Sequence, residues 1–342
     1  MKVSIIIPVY NVSAYIEHSI KSVMNQTYRD IECILVNDKS TDDSVAIAEH
    51  LIADYTKPIQ FRIINHEHNA GVAAARNTGV DAATGDYLYF LDSDDEITPD
   101  CIEKLSLPAL NDATIDIIEG CYVVIQKDSN NVISEKKFSR PHLEFSNKKA
   151  VRDFYYSKQY INDIAVNKLI KRDFFIKNQL YFNTSLVAGE DTFWHFQSFK
   201  YISHLYTIPE ITYKYLKRPN SLTTSSNKNF RTDYGFVYAE IAKNLSPTEK
   251  VQEVKHFLKG FCLFLLDGPI TPVYKQVSSQ FLKVLKENHC LKEWIFLKSV
   301  VMLSKFAFAR NLIYKLGNFL KSLRKNKNYG CQYENINNHS HI

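Results

Sequence analysis

The chain has 342 residues, 45% hydrophobic and 23% charged, which reads as globular apart from a polar tail after Lys325 and leaves room for one large domain with an appendage or two modest ones. Its 42 basic and 37 acidic residues leave a net charge of +5, too small a surplus to argue for a nucleic-acid partner. The positive charge is gathered at one end: no Asp or Glu occurs from Trp294 through Tyr333, where Lys298, Lys305, Arg310, Lys315, Lys321, Arg324, Lys325 and Lys327 fall.

Val3 to Val9 is a continuous, β-branched apolar run, the pattern of a parallel strand buried on both faces. After Asn11, Ser13 is placed to cap a helix whose Ile16, Ile20, Val23 and Met24 recur on one side. Ile31 to Asn37 predicts a second strand, and Asp42 and Asp43 suit the start of a helix carrying Val45, Ala48, Leu51 and Ile52 on one face. A third strand over Phe61 to Asn65, an alanine-rich helix from about Ala70 to Ala83 and a fourth strand over Tyr87 to Leu91 complete a β-α-β-α-β-α-β run. Beyond Pro99 the pattern loosens, with strand candidates at Asp116 to Gln126 and Ile211 to Leu216 and helix candidates around 147–158 and 191–201. From about Asp233 the chain reads mainly helical. The expected fold class is α/β, a Rossmann-like, mostly parallel sheet flanked by helices, followed by a C-terminal helical region. The expected division is a catalytic domain over 1–224, with halves 1–98 and 99–224, and a basic helical region over 225–342.

The six cysteines are scattered without a CxxC or a zinc-like His spacing, which predicts reduced, buried thiols. The apolar run after Lys2 is too short for an export signal, and no stretch of eighteen or more residues is free of charge, so neither a leader nor a conventional spanning helix is expected.

Ligands of parallel sheets bind beyond the carboxyl ends of the strands, and polar residues follow those ends here: Asn11, Asn37, Asp38 and the cluster Asp92, Ser93, Asp94 and Asp95. Three carboxylates within four residues repel one another, an arrangement a divalent cation relieves; oxygen-only ligation suits Mn2+ or Mg2+. An isolated acidic turn is common on protein surfaces, so position at the sheet mouth is what gives this one weight. Asp38 is placed to accept from a base N–H or a ribose hydroxyl, with Asp42 capping the next helix. Arg76 projects from the alanine-rich helix and suits a diphosphate if it faces the mouth. His66 and His68, flanking Glu67, read as surface.

The segments SIIIPVYN (4–11), CILVNDKSTDDS (33–44), NAGVAAARNTG (69–79) and YLYFLDSDD (87–95) closely resemble the successive motifs of family 2 glycosyltransferases with the GT-A fold. That resemblance implies that Pro8, Tyr10 and Asp38 line the nucleoside site and that Arg76 lies near the nucleotide. It makes Asp94 the principal metal ligand, with Asp92 towards ribose or sugar as a second, Ser93 beside them and Asp95 close to the donor sugar. VNKLIKRDFF (166–175) is similar to a segment bordering the acceptor, and GEDTFWHF (189–196) to the ED motif, which makes Asp191 the general base and Glu190 its neighbour. YKYLKRPNSLTT (213–224) resembles the segment that folds over the diphosphate, with Arg218 and Ser221 its polar positions.

The implied activity is inverting, metal-dependent transfer of a sugar from a nucleotide diphosphate sugar, expected to be a UDP-sugar, to a glycan or glycolipid acceptor in bacterial surface polysaccharide synthesis. A dehydrogenase is excluded by the lack of any GxG, a P-loop enzyme by the lack of GxxxxGK, and a nucleotidyltransferase lacks its glycine-rich loop after the first strand. The rival reading is a non-catalytic subunit that holds a nucleotide sugar or scaffolds a complex; it would be expected to lose the metal aspartates or the base. The basic stretch at about 290–327 is expected to lie on an anionic membrane surface, placing the protein on the cytoplasmic face.

Overall fold

The computed structural model describes residues 1–128, 131–157, 164–217, 230–248, 250–266 and 271–303. They fall into two compact units, one holding residues 1–153 and 164–217, the other residues 154–157 and 230–303.

The first unit begins with β1 (Val3–Val9), α1 (Ile16–Met24), β2 (Ile31–Asn37), α2 (Ser44–Ala53), β3 (Gln60–Asn65), α3 (Val72–Ala82) and β4 (Tyr87–Phe90). Every residue of β1, β2 and β4 is buried, as their predominantly apolar runs require of strands covered on both faces. β3, at the sheet edge, alternates between exposed and half-buried positions. β3, β2, β1 and β4 are neighbours in that order and all parallel. Helix α3 lies against β1 so closely that a Cβ added at Gly79 would stand 2.3 Å from Ile6 Cγ2.

Next come β5 (Glu96–Ile97), α4 (Cys101–Asn111), β6 (Ile117–Asp128), β7 (Asn131–Phe138), β8 (Leu143–Phe145), α5 (Lys148–Ser157), β9 (Lys168–Lys171), α6 (Arg172–Lys177), α7 (Glu190–Ser198) and β10 (Leu205–Lys217). The sheet continues from β4 through β9, β6 and β10 to β5, with β7 on β6 and β8 on β10. β9 runs antiparallel to both β4 and β6, so the sheet is mixed beyond its parallel half. β9 also brings the start of its segment under the mouth: fully buried Asn167 has φ 61° and gives its amide to the carbonyls of Gly120 and Cys121.

The second unit contains α8 (Phe230–Lys243), α9 (Lys250–Leu266), α10 (Pro272–Glu287) and α11 (Leu291–Leu303). Its core is built around Phe261, whose ring lies 5.2 Å from Phe281 and 5.9 Å from Tyr274. Thr271 caps α10 by accepting from the Tyr274 amide, with Pro272 opening the helix. No described helix is long and apolar enough to cross a membrane. The basic stretch from 304 onward lies outside the described residues, as does Cys331.

Two local expectations need correction. Ser13 does not cap α1: the helix starts at Ile16 with Tyr15 at its N-cap, and the Ser13 amide instead donates to Asp42 Oδ2 at 2.9 Å. Nor is Asp42 the N-cap of α2, a position held by Asp43 without a side-chain cap bond; the other oxygen of Asp42 accepts from the Ser44 amide, so one carboxylate ties the loop after β1 to the start of the helix after β2. Cys33, Cys101, Cys121 and Cys262 are buried free thiols, and burial pushes Cys101 and Cys262 up to about 12.

Candidate active site

The mouth is formed where β1, β2 and β4 end. After β1, Pro8 is buried, Tyr10 holds its ring half in solvent, and Asn11 takes a left-handed turn at φ 50° whose Oδ1 accepts from the Thr41 amide at 2.8 Å. After β2, Asp38 is almost wholly buried. Its Oδ1 accepts from the Ala70 amide and its Oδ2 from the Gly71 amide, both at 2.8 Å. Gly71 is the N-cap of α3 at φ 88°, a conformation an L side chain rarely adopts. Asp38 therefore draws the loop before α3 over the end of β2. His66, read from sequence as surface, is part of this knot: its ring hydrogen-bonds Asp38 Oδ1 at 2.8 Å and Thr78 Oγ1 at 2.9 Å, while His68 is exposed.

β4 delivers the acidic cluster. The Leu91 amide still bonds the Ile6 carbonyl, and the Asp95 amide then closes a turn onto the Asp92 carbonyl. One carboxylate oxygen from each of Asp92, Asp94 and Asp95 lies within 4.8 Å of the others. Ser93 is buried beneath them. Asp95 points inward, with Oδ2 accepting from the Tyr213 hydroxyl at 2.6 Å and Oδ1 from the Leu216 amide at 2.8 Å. Burial, then the charges of Asp94 and Asp92, push the Asp95 carboxyl well above its usual range against those two bonds. Burial also raises Asp92, opposed by Arg76 and reinforced by Asp94 and Asp191.

Arg76 joins this cluster to α7. It is 3% exposed, and its Nη2 donates to Asp92 Oδ1 at 3.0 Å while Nη1 donates to Glu190 Oε1 at 2.9 Å and Asp191 Oδ1 at 2.8 Å. The guanidinium stands 5.2 Å from the Phe182 ring centre, and Phe182 is clamped in turn by both amide atoms of Asn77. Burial disfavours the Arg76 charge, but Asp191, Asp92 and Glu190 more than compensate and raise its pKa. Gly189, left-handed at φ 77°, opens α7, so Glu190 and Asp191 occupy its first turn. Glu190 is buried, and burial together with the Asp191 charge raises its carboxyl to about 7 despite Arg76. The Asp191 side chain is 21% exposed, against 10% for Glu190.

One guanidinium thus serves carboxylates 16, 114 and 115 residues away in the chain. The three-aspartate set fits a hard divalent cation: its donors are all oxygen, they converge, and they crowd more negative charge than Arg76 offsets. Because Asp95 spends both oxygens on Tyr213 and Leu216, Asp92 and Asp94 are the members suited to hold it. Arg218 and Ser221 lie outside the described residues. Besides His66, sequence reading missed Tyr213, Asn77 and Phe182; Asn77 sat inside NAGVAAARNTG and Tyr213 at the head of YKYLKRPNSLTT, whereas Phe182 lay in no recognised motif.

The family profile described as Glycosyl transferase family 2 matches residues 4–178. Glycosyltransferase EpsJ of Bacillus subtilis is 34% identical over 233 residues, 65% of this chain and 62% of that protein. The GalNAc(5)-diNAcBac-PP-undecaprenol beta-1,3-glucosyltransferase of Campylobacter jejuni is 26% identical over 333 residues, 95% of this chain and 99% of its own length. The chain therefore spans under two thirds of EpsJ and nearly all of the Campylobacter protein. Among solved structures, S. aureus TarS 1-349 in complex with UDP-GlcNAc matches with a TM-score of 0.63 at 20% identity, covering 96% of this chain and 93% of that one. That likeness shows the fold.

Proposed function

This chain belongs to glycosyl transferase family 2, and on that footing we propose that it is an inverting, metal-dependent glycosyltransferase that moves a sugar from a UDP-sugar to a hydroxyl of a glycan or glycolipid in bacterial surface polysaccharide synthesis. The observation that carries this reading is Arg76, which binds Asp92 of the acidic cluster with one nitrogen and Glu190 and Asp191 of α7 with the other. Donor-side and acceptor-side carboxylates are thereby set in one fixed group. The neighbours add support: TarS is described in complex with UDP-GlcNAc and with UDP, and the Campylobacter relative is named as acting on an undecaprenol-linked glycan.

In this reading Pro8, Tyr10 and Asp38 line the nucleoside, with Ser93, Asp95, Arg218 and Ser221 completing the donor site. Asp94 and Asp92 would hold Mn2+ or Mg2+, which supplies positive charge to the departing diphosphate. Asp191, the more open of the α7 pair, takes the proton from the acceptor hydroxyl as that oxygen attacks the anomeric carbon. The bond from the anomeric carbon to the diphosphate breaks, its electron pair leaves with UDP, and the single displacement inverts the centre. Asp95 keeps the acidic turn in shape through Tyr213 and Leu216.

The test is a panel of nucleotide sugars incubated with the full chain, Mn2+ or Mg2+ and candidate acceptors, read as nucleoside diphosphate release. Metal-dependent UDP release that Asp94→Ala abolishes is the expected result. Near-wild-type, metal-stimulated release by a folded Asp94→Ala protein would sink the metal assignment. Release from no donor would turn the assignment towards a binding subunit.

Membrane attachment through the basic C-terminal region is part of the same proposal. It is supported by α11, which exposes Leu291, Ile295, Phe296 and Met302 beside Lys292 and Lys298 and carries the chain into the acid-free stretch that starts at Trp294. Liposome sedimentation of the full chain should show salt-sensitive preference for anionic over neutral lipid, placing it on the cytoplasmic face. Equal binding to both would remove the membrane role.

A further inference from the structure

His66 has two partners and stands between two parts of the donor side. Its amide seals the end of β3 onto the Asn37 carbonyl, and its ring reaches Asp38 Oδ1 at 2.8 Å and Thr78 Oγ1 at 2.9 Å. A carboxylate only accepts, so Nδ1 carries a proton towards Asp38; in the neutral ring Nε2 then accepts from the Thr78 hydroxyl. Asp38 is 4% and His66 15% exposed in their side chains, so water competes little for these bonds. Thr78 lies on α3 two residues beyond Arg76, which links the ring to the helix that carries the guanidinium.

The Ala70 and Gly71 amides take one lone pair on each oxygen of Asp38, and His66 takes the second on Oδ1. What is left is acceptor capacity on Oδ2. We propose that His66 is a positioning residue for base recognition: it holds the Asp38 carboxylate so that this remaining lone pair receives the N3–H of a uracil ring. Cytosine has no hydrogen at N3, so a carboxylate held this way favours uridine over cytidine nucleotides. The inference rests on the proposed reading that Asp38 meets the nucleoside.

The experiment compares His66→Asn, His66→Gln and His66→Ala in the full chain, with calorimetric binding of UDP and CDP, steady-state kinetics with the donor found active, and urea midpoints. An Asn amide nitrogen reaches roughly where Nδ1 sits, and a Gln amide nitrogen roughly where Nε2 sits. His66→Asn should therefore keep the UDP dissociation constant within about threefold, while His66→Gln and His66→Ala weaken UDP by about tenfold. In those two variants KM should rise with kcat held to within about twofold, and the preference for UDP over CDP should shrink. Equal behaviour of the Asn and Gln variants, or a fall in kcat at unchanged KM, would overturn the role. Asp38→Asn separates the two levels of inference. Unchanged UDP affinity in that variant removes the reading of Asp38 and this inference with it. Weakened UDP binding there with normal binding by His66→Gln removes only the role of His66. The wild-type ring offers a reading independent of folding in any variant: its NMR signals should move with UDP and move less with CDP at equal occupancy, and no movement with UDP overturns the inference.

Discussion

Glu190→Gln should stabilise the metal-free protein in alkali and do nothing for it in acid. Glu190 is buried beside Asp191, and these two influences outweigh the Arg76 bond to raise its carboxyl from 4.5 to about 7. A folded pKa above the unfolded one means that the folded state favours the protonated form. The cost is absent below pH 4.5, grows as pH rises towards 7 and is complete above it. A shift of this size corresponds to about 3 kcal/mol, since each unit is worth about 1.4 kcal/mol. Gln has nearly the shape of protonated Glu and can still accept from Arg76, so it removes the cost without opening a cavity. In EDTA at pH 8.5 the variant should melt roughly 5 to 10 °C above wild type, taking a few degrees per kcal/mol for a unit of this size. At pH 4.5 the two should converge. The assay is paired thermal melts across that range. A variant less stable than wild type at pH 8.5, or an offset that does not change with pH, would refute the reasoning.

Asp191→Asn should lower turnover by roughly 100-fold or more while UDP affinity stays within about threefold, because the amide fills the same space but cannot take the acceptor proton; unchanged turnover moves the base elsewhere. Glu32→Gln tests the far end of the sheet. Burial would raise Glu32, but bonds from the Ser4 hydroxyl, the Thr84 amide and hydroxyl and Lys2 bring it down to about 2. Its stabilisation is present above pH 4.5 and fades as pH falls towards 2, so urea midpoints of wild type and variant should differ most at pH 7 and merge in acid. Gly79→Ala should cost about 1–3 kcal/mol in urea unfolding, since the added methyl meets Ile6 on β1 and α3 must move.

The parallel half was legible because β1, β2 and β4 are buried on both faces and so are mostly apolar, broken only by Ser4 and Glu32 near the amino ends of β1 and β2 and by Asn37 at the carboxyl end of β2. β9 was not. Four residues with lysine at each end, KLIK, show no period long enough to distinguish a strand, and its antiparallel insertion between β4 and β6 is a tertiary fact. The residue types of the site were visible through motifs, whereas their partners were not. Arg76 read as a diphosphate ligand and proves to be tied to three carboxylates, two of them over a hundred residues distant. His66 read as surface because Glu67 and His68 flank it, yet the turn after β3 sends its ring inward while theirs stay exposed. Asp42 appeared as a helix cap, but its second bond, to the Ser13 amide, depends on a loop that local sequence does not reveal.

The Glu32 network has a consequence beyond its own stability. It sits at the amino ends of β1 and β2, whereas the carboxylates served by Arg76 stand past the carboxyl ends of the same sheet. Six residues of strand separate Glu32 from Asp38 at the other end of β2, about 20 Å at 3.3 Å per residue, a span over which two unit charges interact by less than about 1 kcal/mol at an effective dielectric constant of about 20. Distance keeps the coupling between the two sets of charges weak. Acid should therefore undo the hydrogen-bonded anion at one end and relax the crowded anions at the other as two separate steps, each removable by substitution without shifting its counterpart.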